Sequence, residues 1–101
     1  MEIHFEYDAV KASERLENLA IQRLNKIADK NDFIVRAEVQ FKKENTSSPD
    51  TGMICSIRLS VPGPRLFAQS SHGNFEASLV EAADELERQL QKRKDKIRNR
   101  A

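Results

Sequence analysis

The stretch LERQLQKRKDKIRNR, residues 86–100, is where residue type and spacing most clearly allow chemistry, and that chemistry is electrostatic. From Arg88 onward come seven bases, Arg88, Lys92, Arg93, Lys94, Lys96, Arg98 and Arg100, against a single acid, Asp95. The whole chain holds 17 bases and 16 acids, so residues 1–87 keep ten and fifteen: a net −5, against +6 for the last fourteen residues. A local basic field of this kind attracts polyanions even when the total charge is near zero.

Bond-making chemistry has little to work with. His4 and His72 are the only histidines and stand alone, with no Cys/His spacing that would gather metal ligands. Cys55 falls on the inward phase of a strand, where a free cysteine behaves as a small hydrophobe. Three glycines leave no phosphate-cradling loop or dinucleotide fingerprint, and no nucleophile elbow occurs. The chain therefore reads as a non-enzyme with no cofactor, no metal and no small-molecule substrate.

The elements that must position the charges follow from hydrophobic periodicity. Residues 2–7, EIHFEY, alternate as a half-buried strand, with Ile3, Phe5 and Tyr7 on one face. From about Ala12 to Lys30, Leu16, Leu19, Ala20, Leu24, Ile27 and Ala28 recur at helical spacing behind the cap residue Ser13. Alternation returns at residues 34–43, where Val35, Ala37, Val39 and Phe41 are expected in the core, and again at 53–61, with Met53, Cys55, Ile57, Leu59 and Val61. The polar run 44–52 joins these two strands as a loop. Pro62-Gly63-Pro64 turns the chain into a shorter strand near 65–70. Asn74 then caps a long helix that buries Phe75, Leu79, Ala82, Ala83, Leu86, Leu90 and Ile97.

The order is β-α-β-β-β-α, and 101 residues suffice for one core without staples. We expect an α+β two-layer sandwich: a four-stranded sheet with both helices on one face, forming a single domain, 1–101, whose basic helical tail is 88–101. A lone cysteine fits a reducing compartment, and the N-terminus has neither the basic start nor the apolar run of a signal peptide. No segment has the length of apolar residues that a membrane span requires, so a cytoplasmic monomer with no membrane partner is expected.

At about 100° per residue, Arg15, Arg23, Lys26 and Lys30 share one flank of the first helix. On the last helix Arg88, Lys92 and Lys96 stack at i, i+4 and i+8, in line with the acidic Glu81, Asp84 and Glu85 further up. If both helices cover one sheet face, the two flanks border a groove for phosphates. The candidate RNA contacts are Arg23, Lys26 and Lys30 on the first helix, and Arg88, Lys92, Arg93, Lys94, Lys96 and Arg98 on the last. The other sheet face, with Arg36, Lys42, Arg58 and Arg65 among acids and only Phe67 for stacking, is the poorer candidate.

On these residues the chain resembles the ribosome hibernation promoting factor and ribosome-associated inhibitor family, in its short form. The likeness spans nearly the whole chain, through QRLNKI (22–27) and above all ELERQLQKRKDKIR (85–98). It implies a fold akin to double-stranded RNA-binding domains, and a partner in the rRNA of the small ribosomal subunit. There the protein would occupy the decoding channel and block the mRNA and tRNA sites. Arg23, Lys26, Arg88, Lys92, Lys94 and Lys96 match basic positions of the family. Two features depart from the pattern: Asn74 stands where the family has an acidic cap, and Glu76 where it has a tyrosine. Two other readings stand beside this one: a binder of other structured RNA, and a protein-interaction module with a basic helix.

Overall fold

The computed structural model describes residues 1–98, with side chains as far as residue 94. The elements are β1 (Glu2–Asp8), α1 (Glu14–Lys30), β2 (Arg36–Lys43), β3 (Met53–Ser60), β4 (Leu66–His72) and α2 (Phe75–Arg98). One sheet has the order β1-β2-β3-β4. β1 runs parallel to β2, and the other pairs are antiparallel. A helical crossover is what a parallel β1–β2 pair demands, whereas the polar loop and the Pro-Gly-Pro turn suit hairpin returns.

The caps fall where side chains can supply the missing partners. Ser13 Oγ accepts the Leu16 N–H at 3.3 Å, with Glu14 and Glu17 in the positive first turn and Lys30 in the last. Asn74 Oδ1 accepts the Ala77 N–H at 2.8 Å and opens α2. Gly73, just before it, is required by close approach: a Cβ there would meet the Pro49 carbonyl oxygen at 2.5 Å. Ser78, fully buried in α2, donates from Oγ to the Met53 carbonyl at 2.5 Å and so pins the start of that helix to β3.

Leu16, Ala20, Leu24 and Ile27 of α1 share one core with Leu79, Ala82, Ala83, Leu86 and Leu90 of α2 and the inward residues of β2, β3 and β4. Both helices therefore cover the same sheet face. Phe41 lies at the centre of one end, stacked on Tyr7 at 5.7 Å and edge-on to Phe75 at 5.6 Å. The Tyr7 hydroxyl donates to Glu17 at 2.5 Å, tying β1 to α1; burial, followed by that carboxylate, raises its pKa.

Two core expectations fail. Met53 is only partly buried and stands outside the core cluster, whereas Ile54 beside it is buried. Val35 is 65% exposed, and Ile34 is buried instead. The Ile34 N–H bonds the Asn31 carbonyl, so the turn after α1 delivers Ile34 to the core. Val35 is left at the sheet margin, its backbone held by Ser60 O and Glu2 N–H.

Leu86 is completely buried, so Leu86→Ala should cost about 2–5 kcal/mol in thermal or denaturant unfolding. An unchanged midpoint would contradict the assignment of this helix face to the core.

Candidate nucleic-acid interface

α1 and α2 lie side by side and run in the same direction. Arg15 forms an ion pair with Glu76 near their N-terminal ends, and Lys94 Nζ donates to the Lys30 carbonyl at 2.8 Å near the C-terminus of α1. These contacts show which flank of α1 faces its neighbour. It is the flank that carries Arg15, Arg23, Lys26 and Lys30, because those residues share a helical phase. Glu76, at the position where the resemblance implied a tyrosine, thus has a partner of its own in Arg15.

Between the helices is a cleft of about 410 Å³, lined by Lys30 and Asn31 from the α1 end and by Asp84, Glu87, Arg88, Gln91 and Lys94 from α2. Its floor is Ile27 and Leu90. The α2 wall is therefore mixed rather than wholly basic: acids stand upstream, and Arg88 and Lys94 downstream. A stack at i, i+4 and i+8 does not by itself show which flank meets the neighbouring helix. Arg88 and Lys94 border the cleft, whereas Lys92 is exposed and does not line it.

The other candidates separate by what already holds them. Arg88 donates to Glu85 from Nε at 3.0 Å and from Nη2 at 2.7 Å, with 61% of its side chain exposed. Arg93 points away from the cleft, donating to the carbonyls of Pro62 at 3.5 Å and Pro64 at 2.8 Å. Lys94 already serves the end of α1, where carbonyls lack helical partners. Arg23, Lys26, Lys30 and Lys92 enter no direct ion pair among the described residues. Lys96 and Arg98 lie outside the described side chains, as does Ile97, expected in the core.

On the outer sheet face part of the charge is matched internally, while Arg65 and Glu6 enter no ion pair among the described residues. Arg36 pairs with Glu2 at 3.7 Å and Glu38 at 3.4 Å, Arg58 with Glu38 at 3.9 Å, and Lys42 with Glu44 at 3.4 Å. Arg58 also lies over the Phe67 ring, 6.0 Å from its centroid. Cys55 is enclosed, and burial pushes its thiol up to about 12, which keeps it protonated and unreactive. Among the described residues no cluster of metal-ligating side chains forms, and no helix is long and apolar enough to cross a membrane. Sequence reasoning missed the pairing of His72 with Glu81; the two are nine residues apart on different elements, so no local pattern signals it.

A two-layer α+β domain whose helix layer carries Arg23, Lys26, Lys30 and Lys92 without ion-pair partners among the described residues is the class these features define. The chain belongs to the Sigma 54 modulation protein / S30EA ribosomal protein family, whose model matches residues 3–98. Two solved structures have similar folds. A ribosomal subunit interface protein from Coxiella burnetii superposes with a TM-score of 0.79 at 23% identity, over 94% of this chain and 99% of that one. The N-terminal domain of Thermus thermophilus Protein Y gives 0.75 at 16% identity, over 91% and 98%. No curated protein matches the sequence significantly.

The carboxyls of Glu81 and Glu85 are held below their ordinary value of 4.5, chiefly by hydrogen bonds from His72 and Arg88 respectively. A carboxylate whose pKa is lowered by folding adds stability above its unfolded pKa and loses it as pH falls through the folded value. Thermal unfolding of the Glu81→Gln, Glu85→Gln double variant should therefore fall off less steeply than the parent below about pH 4.5. Parallel acid limbs would contradict these two contacts.

Proposed function

We propose that this protein is a ribosome-associated translation inhibitor, a hibernation factor that binds small-subunit rRNA in the decoding channel and blocks the mRNA and tRNA sites. In this reading it acts in the cytoplasm, as a monomer and without turnover, when stress or stationary phase calls for idle ribosomes. Family membership across residues 3–98 supports a ribosomal partner, as does the likeness to a protein described as belonging to the ribosomal subunit interface. The observation that carries the reading is the contrast between two sets of cations. Arg36, Lys42 and Arg58 on the sheet are spent on acids of the same chain, whereas Arg23, Lys26, Lys30 and Lys92 on the helix layer are not.

A cation without an intramolecular partner exchanges only water and counterions for a phosphate, and releasing RNA-bound counterions favours that exchange. Arg88 can add a phosphate on its exposed side while Glu85 holds its orientation, and Lys94 can do so with the donors that Lys30 leaves free. Arg93 adds positive charge on the side of α2 away from the cleft, and Lys96 and Arg98 are kept as candidate contacts from the sequence. The acids Asp84 and Glu87 repel phosphate from the upstream part of the cleft, which directs RNA towards its C-terminal end and the exposed Lys92.

Binding to small subunits, measured against salt, tests this. Replacing Arg23, Lys26 and Lys92 together by Gln should weaken binding and flatten the slope of log affinity against log salt by roughly 2–3, at about 0.7–0.9 per phosphate contact. Replacing Arg36, Lys42 and Arg58 removes equal charge and should change the slope little. Equal losses from both triple variants would mean that only net charge matters. Inhibition of translation should also be stoichiometric with ribosomes; a trace of protein disabling an excess of them would contradict a turnover-free mechanism.

A further inference from the structure

The two edges of the sheet are treated differently. Along β4 the exposed backbone is covered from α2: Gln89 Nε2 donates to the Phe67 carbonyl at 3.0 Å, and Arg93 serves the Pro62 and Pro64 carbonyls beyond the strand. β1 has no such cover. It pairs only with β2, and the bond from Glu2 N–H to Val35 O sets its phase. Glu2, His4, Glu6 and Asp8 turn their amides and carbonyls inward to β2, while Ile3, Phe5 and Tyr7 turn theirs outward. Among the described residues nothing bonds these outward groups. Open edges of this kind accept an added strand unless something blocks them.

The side chains along β1 specify what could be added. Its solvent face carries Glu2, His4, Glu6 and Asp8, all exposed, and Glu6 and Asp8 enter no ion pair among the described residues. Its helix face carries Ile3, Phe5 and Tyr7, each only half-buried because the sheet ends there. Above them, Ile21 of α1 is half-buried in the row of Glu17, which bonds Tyr7.

We propose that the β1 edge is a docking site for an extended basic peptide, in which Lys or Arg alternates with Val, Ile or Leu. The bases would lie beside Glu2, Glu6 and Asp8, the apolar residues over Ile3, Phe5 and Tyr7, and the peptide backbone would pair with the outward groups of β1. A second copy of this chain does not fit, since β1 against β1 brings acid against acid. The site is on the opposite side of α1 from the cleft, and the inference stands independently of RNA binding.

Backbone NMR of the full chain, titrated with an eight-residue peptide alternating lysine and valine, tests it. The amides of Ile3, Phe5 and Tyr7 should shift most and exchange more slowly with solvent. N-methylating one alternate set of peptide residues should abolish binding while the other set is tolerated, and a glutamate–valine peptide should not bind. The Glu2→Gln, Glu6→Gln, Asp8→Asn variant, checked by its melting midpoint, should bind roughly tenfold more weakly. Equal binding by both methylated peptides, shifts centred on Asp84 and Glu87, or self-association through β1 would overturn the proposal.

Discussion

The single apolar face of the four-stranded sheet is the constraint on which the rest of the molecule depends. Two amphipathic helices must bury their stripes against it, so they lie side by side over Val39, Ile57 and Leu59. Because β1 and β2 are parallel and the meander has three strands, both helices enter from the same end and run in the same direction. Their macrodipoles are therefore aligned rather than opposed, and the unpaired carbonyls at the end of α1 lie beside the C-terminal part of α2. Lys30, Arg88 and Lys94 gather there, and the bond from Lys94 to the Lys30 carbonyl is the direct expression of that demand. The basic end of the cleft is thus part of the packing solution as well as a surface for a partner.

The periodicities in the sequence were enough to locate the six elements, because each changes period sharply and is bounded by a cap or turn former. Ser13, Asn74 and Pro62-Gly63-Pro64 all serve as their chemistry suggests. The phase at Ile34 and Val35 was not legible, since it depends on how the chain turns after Asn31 and not on apolar spacing. The composition of the cleft was legible only in part. Helical phase put the α1 cations on one flank, of which Lys30 alone lines the cleft, and the packing of Leu86 and Leu90 sets which flank of α2 meets it and places Asp84, Glu87 and Lys94 there.

Charge is sorted by element rather than spread. The middle of the sheet's outer face neutralises itself, β1 is left acidic, and the helix layer keeps cations without partners. Such sorting adds little to stability, since exposed like charges contribute weakly or unfavourably. Its physical consequence is a small domain that offers fields of opposite sign on opposite sides of α1, suited to partners of opposite charge.

Hydroxyl-radical footprinting of small-subunit rRNA, with and without the protein, tests the central claim most directly. Protections should be confined to the decoding channel and disappear when mRNA and tRNA occupy it first. Protections elsewhere on the subunit, or protections indifferent to mRNA and tRNA, would contradict it.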